Sequence, residues 1–454
     1  MDANQLKEAF AKQGIRRVKV GGYDVDGILR GKYVALDKFW GALDDSLGFC
    51  DVIFGWDAAD VLYDNSRLTG WHTGYPDTHA RIDPATFRVL PWEPDTAAFL
   101  LDFVQSDGSP HPACPRGLLK RVIAHARALG FEAVLAAEFE FFVFKESPES
   151  LHEKGFRKLV PLSPGMFGYS WVREGQNADL CHAILDDMER FGIPIEGLHT
   201  ETGPGVYEVA IQYDVGLVAA DKAALFKTGM KQIAARLGYS ATFMAKHKAT
   251  LPGSSGHLHQ SLWKDGHNTF HDEGASDKLS VTARHYLGGQ IALMPELTAL
   301  VSPTINSYKR YVPGVWAPLN ASWGFENRTC AIRAIVGGGH GGAATRFEHR
   351  QPAADINPYL AMAATVAAGL WGIEQRIEPP PAAEGDASNR NGEESAPLPR
   401  TLREATERLA GSRAARAMLG DEFVDHYVRT RDWECRQYEA AVTDWEVARY
   451  FESA

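Results

Sequence analysis

Hydrophobic positions along this chain recur with two periods, and each predicts its own kind of element. Residues 1–17, MDANQLKEAFAKQGIRR, set their apolar side chains on one face of a short helix and lack the apolar core of a signal peptide. Residues 15–36 hold two β-rich runs around a Gly/Asp turn and read as a hairpin. DVIFGW (51–56), FRVLPW (87–92) and TAAFLLDFV (96–104) are strand-like, so the first hundred residues predict a small sheet with one or two helices. The Pro/Gly-rich SDGSPHPACP (106–115) marks a boundary, dividing residues 1–109 from 110–454. Beyond it, period-3.6 segments at 115–130, 178–192, 221–238 and 358–377 predict long helices, and they alternate with strands such as FEAVLAAEFEFFVF (131–144). Residues 378–399 are poor in apolar side chains and predict an exposed loop. A charged, aromatic-rich helical tail closes the chain, and no internal repeat is visible.

Composition narrows the class. The chain has 454 residues, 45% hydrophobic and 23% charged, as expected of a globular protein with two or more domains. A formal net charge of -11 argues against nucleic acid or an anionic membrane as partner. No apolar run approaches the ~20 residues that a membrane helix requires. Cys50, Cys114, Cys181, Cys330 and Cys435 are scattered without a CxxC, which predicts reduced thiols and a cytoplasmic setting.

The chemistry lies in charged pairs at strand spacing. Glu138 and Glu140, Glu201 and Glu208, His257 and His259, and Arg346, Glu348 and Arg350 fall in four segments. In an extended chain, i and i+2 share a face. Charges within apolar strands are costly to bury unless a metal or ionic ligand neutralises them. The pattern predicts one site for cations and anions together, as in an enzyme that handles phosphate.

These segments, with NSYKRxVPG, NRxxxIR and RxExRxPxxxxNPYL, occur in the order found in the glutamine synthetase family, and the chain resembles that family from about Ala137 to Ile373. The resemblance implies an α+β fold: a small N-terminal β-grasp domain (1–109) and a large catalytic domain (110–454) whose curved antiparallel sheet is backed by helices. It implies self-association into stacked rings, with the dodecamer as the expected form. The active site would lie between one subunit's catalytic domain and its neighbour's N-terminal domain. Glu140, Glu201 and Glu208 resemble ligands of one metal, and Glu138, His257 and Glu348 those of a second. Hard, oxygen-rich donor sets suit Mg²⁺ or Mn²⁺, two to three per site, over zinc. His259, Ser261, Arg333 and Arg346 resemble ATP-binding residues. Arg310 and Arg350 resemble those that grip the carboxylates of glutamate, where a bidentate guanidinium fits best. Gly253 would let backbone approach that substrate, and Arg328 would steady the phosphoryl group in flight. The family reaction follows: ATP phosphorylates the γ-carboxylate of glutamate, and an amine displaces the phosphate.

Four departures from the family pattern stand out, and the first two bear on the amine. Trp316 stands where ammonia-using members carry a flap glutamate, in VPGVWAPLN (312–320). A second ammonium-binding acid belongs to an N-terminal loop that aligns with FGWDAAD, where Asp57 and Asp60 fit only with a shift. Pro252 replaces the asparagine usual before the Gly253 position. The tyrosine loop modified in some bacterial members would fall in 378–399, which has no tyrosine. The expectation is a glutamate–amine ligase for a hydrophobic or aromatic monoamine. Its alternatives are an ammonia-using glutamine synthetase, a polyamine ligase, and an inactive structural or regulatory homologue.

Overall fold

In the computed structural model of the protein the described residues are 1–337, 342–389 and 395–454. The first sheet holds β1 (Arg17–Tyr23), β2 (Leu29–Val34), β3 (Leu47–Cys50), β4 (Asp77–Ile82), β5 (Arg88–Val89) and β6 (Thr96–Val104), in the order β2–β1–β6–β4–β3 with β5 beside β6. The predicted hairpin is β1–β2, paired from Val18↔Val34 to Tyr23↔Leu29, with Gly27 at φ 76 in its turn. β1 and β6 run parallel. Two strand expectations are corrected. DVIFGW forms a 3₁₀ turn (Asp51–Phe54), because Ile53 and Phe54, adjacent in sequence, are both buried and a one-sided strand cannot bury both. FRVLPW gives the sheet only Arg88–Val89, since Pro91 has no N–H to donate.

The second sheet holds β7 (Glu132–Phe144), β8 (Ile195–Thr200), β9 (Val206–Ile211), β10 (Asp214–Val215), β11 (Ser240–Thr242), β12 (Gly256–Lys264), β13 (His267–Asn268), β14 (Trp323–Phe325), β15 (Ile332–Ile335) and β16 (Arg346–His349). Its main path is β14–β15–β16–β12–β7–β9–β8, with β10 and β11 also on β7 and β13 on β12. The expected antiparallel pairing holds except at one edge, where β14 and β15 are parallel. The helix Gly216–Arg236 packs behind β7, with Phe226 against Phe139 and Phe141, both at 6.1 Å between ring centres. Helices Val281–Val301 and Pro358–Gln375 lie close together. A Cβ on Gly289 would come within 2.2 Å of the Ala368 carbonyl, so only glycine permits the approach.

Buried cations join the two parts: Arg431 pairs with Asp26, and Arg116 with three aspartates. Arg116 opens the helix Pro115–Ala128 and pairs with Asp83 (2.8 Å), Asp102 (2.7 Å) and Asp221 (2.9 Å), while the Tyr359 hydroxyl donates to Asp221 at 2.7 Å.

The expectation of an exposed loop over 378–399 is corrected only in part: Glu378, Pro381, Glu384, Gly385, Asp386, Ala396 and Pro397 are exposed, and residues 390–394 lie outside the described residues. Ala383, Ala387, Ser395 and Leu398 are buried. Ala383 N–H donates to the Trp323 carbonyl, Ala321 N–H to Ala396 and Leu398 N–H to Leu319, so backbone bonds hold the segment where side-chain hydrophobicity gives no signal. All five cysteines are free thiols. Among the described residues no helix is long and apolar enough to cross a membrane.

Candidate active site

Strand register puts the charged residues on one face of the second sheet. Across β7 and β12, Glu138 opposes His257; across β7 and β9, Glu140 opposes Glu208. Glu348 opposes both His259 and Arg333, and His199 opposes Glu208. Directly opposed residues project to the same side, so the row continues from β15 to β8. The other face of β7 is apolar: Phe139 and Phe141 are fully buried beneath the helix Gly216–Arg236.

The row gathers into two clusters. In the first, His259 Nε2 lies 3.1 Å from a Glu138 oxygen, and His257 Nδ1 lies 3.7 Å from Glu138 and 3.4 Å from Glu348. Donor atoms of Glu138, His259 and Glu348 all fall within 4.8 Å of one another. Glu348 is also paired with Arg333 (3.2 Å) and Arg350. Burial opposes ionisation of Glu138, yet His259 and His257 hold its carboxyl far below the usual range; Glu348, itself buried, is held at about 2 by His257 and Arg350. In the second cluster, donor atoms of His199, Glu201 and Glu208 fall within 4.8 Å. His199 is 3.3 Å from Glu208 and 3.7 Å from Glu201. Burial lowers the His199 imidazole, but Glu208 more than offsets this and raises it to about 8. Glu140 stands beside this cluster. Burial and then Glu208 push its carboxyl up, although it accepts a 2.7 Å bond from Ser255 N–H.

The donor chemistry fits hard divalent cations. Half-buried carboxylates crowd together around the buried Glu348 and beside His199, and the buried His257 Nε2 has no hydrogen-bond partner. The donor atoms that lie closest together are those of Glu138, His259 and Glu348 and those of His199, Glu201 and Glu208, so His259 and His199 stand with carboxylates that the motifs named.

The arginines ring these clusters. Arg346 Nε donates to His259 Nδ1 (3.2 Å), and Ser261 Oγ accepts from the Trp263 indole (3.0 Å). Arg310, buried, donates to the carbonyls of Gln351 (2.9 Å) and Arg350 (3.2 Å) and has no acid within ion-pair distance among the described residues. Gly253 lies against it: a Cβ there would come within 2.9 Å of Arg310 Cγ and 2.7 Å of the Ala245 carbonyl. Arg350 Nε donates to the carbonyl of Arg328, whose side chain is exposed. Trp316 is 68% exposed, on a segment where Val312 and Val315 are exposed as well.

Asp57 is not brought to the carboxylates within this chain. Its Oδ1 accepts from the N–H groups of Ala59 and Val61, and its Oδ2 from the Trp433 indole (3.0 Å). Asp60 pairs with Arg30 at 2.7 Å.

Sequence reading missed two residues here. His199 carried a signal: HTE repeats the i, i+2 spacing of the other pairs. Tyr169 carried none. It sits in a loop at φ 52 and stacks on His199 (4.2 Å between centres, 16°), and its hydroxyl is raised by burial and then by Glu201 and Glu208.

A row of carboxylates and histidines ringed by arginines, carried on a sheet of this order, fits a ligase that activates a carboxylate with ATP. The chain belongs to the glutamine synthetase family: the family model for the glutamine synthetase catalytic domain matches residues 112–450. It is 48% identical to the Type-1 glutamine synthetase 2 of Dictyostelium discoideum over 441 residues, 96% of this chain and 83% of that one. It is 38% identical to a glutamate–isopropylamine ligase of a Pseudomonas species, over 99% of this chain and 97% of the relative. A solved structure described as a GmaS/ADP complex superposes with a TM-score of 0.85 at 28% identity, covering 98% of this chain and 99% of the other.

Proposed function

We propose that this ligase joins the γ-carboxylate of glutamate to a hydrophobic monoamine, giving a γ-glutamylamide, ADP and phosphate. The observation that supports this choice of amine is Trp316. An indole that is 68% exposed, flanked by exposed Val312 and Val315, occupies the flap position where an ammonia-using enzyme needs an acid. The isopropylamine ligase supports the same reading, since its named substrate is a small apolar amine.

In this reading Arg310 and Arg350 hold glutamate, and Gly253 leaves space for its backbone. His259, Ser261, Arg333 and Arg346 hold ATP. Arg328, exposed at the rim, stabilises the phosphoryl group in transfer. Glu138, His257 and Glu348, and Glu140, Glu201 and Glu208, would hold two to three Mg²⁺ or Mn²⁺ ions, with His199 and His259 alongside. When bound, such ions neutralise the phosphate oxygens and the charge that builds on them. The γ-carboxylate oxygen attacks the terminal phosphorus and ADP leaves; the amine nitrogen then attacks the acyl carbon and phosphate leaves. An alkylammonium, with a pKa near the ~10.4 of lysine, must lose a proton first, whereas an aromatic amine is already neutral. Asp57 or Asp60 of a neighbouring copy is proposed as the acceptor of that proton.

A second reading, ammonia as nucleophile, is favoured by the 48% identical relative named a glutamine synthetase. Phosphate release with ATP, Mg²⁺ and glutamate across ammonia, isopropylamine, aniline, benzylamine and putrescine separates the two. The expected result is the highest kcat/KM with a hydrophobic monoamine. Preference for ammonia over every organic amine would refute the proposal.

A further inference from the structure

Away from the carboxylate row, a cavity of about 300 Å³ lies between the first sheet and the helix Gly216–Arg236. Its walls are apolar, built by Leu29, Leu90, Trp92, Phe99, Phe191 and Leu225. Two buried donors among its lining residues have no acceptor: Nε of Arg88 and Nε1 of Trp92. Arg88 donates from Nη1 to the Thr86 carbonyl (3.0 Å), but no carboxylate lies within ion-pair distance of it among the described residues. The other cations that line the cavity are engaged: Lys19 pairs with Glu93, and Lys32 donates to the Gly48 carbonyl at 2.9 Å. No carboxylate answers either Arg88 or the exposed Lys32, and of the two only Arg88 keeps a buried N–H without an acceptor.

A buried donor without an acceptor costs about 1–3 kcal/mol, more when it is charged, and Arg88 brings a guanidinium with no carboxylate beside it to an apolar lining. Water could supply oxygens but would leave the six apolar walls facing it. A small organic anion answers both requirements. The volume, at roughly 30 Å³ per water-sized unit, suits about ten non-hydrogen atoms.

We infer that this cavity is a second ligand site, which takes a small monocarboxylate with an aromatic or aliphatic body, its carboxylate on Arg88 and its body against Trp92, Phe191 and Leu225. The site stands apart from the proposed amine chemistry and does not rest on it. It does reach the same strand. Leu225, Thr228, Gly229 and Gln232 face the cavity from one side of the helix, while Phe226 on the other side packs against Phe139, between Glu138 and Glu140. A ligand here would brace the helix that backs the carboxylate row.

Phenylacetate, with ten non-hydrogen atoms, and its neutral analogue phenylacetamide test the inference by calorimetry on the full-length protein, with ADP, Mg²⁺ and glutamate saturating so that the active site is filled. The expected result is millimolar or tighter binding of phenylacetate, about tenfold stronger than the amide. Arg88→Gln should weaken it about tenfold and Ala98→Leu, which narrows the cavity, should weaken acid and amide alike. Both variants should keep wild-type turnover, which shows that they fold. No binding up to about 20 mM, equal affinity for acid and amide, or undiminished binding in Arg88→Gln overturns the inference. The amine panel, read by turnover at the other site, is unaffected by any of these outcomes.

Discussion

Glu138 and Glu140 sit two residues apart on one face of β7 and titrate in opposite directions. Both are half-buried; Glu138 has two histidines beside it and stays ionised, whereas Glu140 has Glu208 and is pushed up. The two therefore depend differently on added cations. Glu138→Gln should lower turnover by about 10³-fold or more while leaving circular dichroism and Tm near wild type. Near-normal turnover at saturating Mg²⁺ would remove Glu138 from the reacting centre. At Trp316, a glutamate should favour ammonia: Trp316→Glu is expected to shift the kcat/KM ratio of ammonia to isopropylamine about tenfold, an effect of about 1.4 kcal/mol, and an unchanged ratio sinks the role assigned to the indole. The glutamates were legible in the sequence because a charge every second residue within an apolar strand has few explanations. Tyr169 was not, because stacking on His199 depends on a loop path that leaves no periodic trace.

At the scale of elements, the legible ones were those with a one-sided pattern. The helix at 178–190 and the strands β6 and β7 emerge where the periodicity predicts them, and the helix predicted from 221 begins earlier, at Gly216. Val281–Val301 left no such mark: it is buried nearly all round and contains Pro295, so no polar face reveals its period. Packing behind the site also has a pH signature. The Lys227 ammonium lies against the rings of Phe139 (5.6 Å) and Phe243 (5.5 Å), and burial, with Lys231, pushes it down to about 7. The unfolded chain, with a lysine near ~10.4, binds a proton there that the folded chain does not, so stability climbs between pH 7 and 10 and is lowest below 7. Lys227→Met should flatten that climb in Tm, and an identical pH profile would show that the buried amine is not its source. Gly253→Ala tests a tighter spot. The new methyl would meet the Ala245 carbonyl at 2.7 Å, and displacing Arg310 should raise KM for glutamate about tenfold or more at a stability cost of about 1–3 kcal/mol. An unaltered KM would separate Gly253 from the glutamate pocket.

At the scale of the molecule, we propose that the division between residues 1–109 and 110–454 is one of topology, not of independent folding. Calorimetry should show a single unfolding transition. We also propose that the active species is a ring assembly, because Asp57 is held by Trp433 within its own chain and can meet a carboxylate row only on another copy. Light scattering during turnover should give a mass several times 49.9 kDa, and a fully active monomer would end the shared-site proposal.

The Arg116 junction has a consequence in time. Its partners Asp83 and Asp102 leave the ribosome before it, but Asp221 follows 105 residues later. At the ~5–20 residues per second of synthesis, Arg116 waits several seconds or more with one of its three aspartates still unmade. During that interval the nascent chain has reason to hold Arg116 hydrated. The junction between the first sheet and Arg116 can reach its full set of ion pairs only after the helix that backs the catalytic strand has been made.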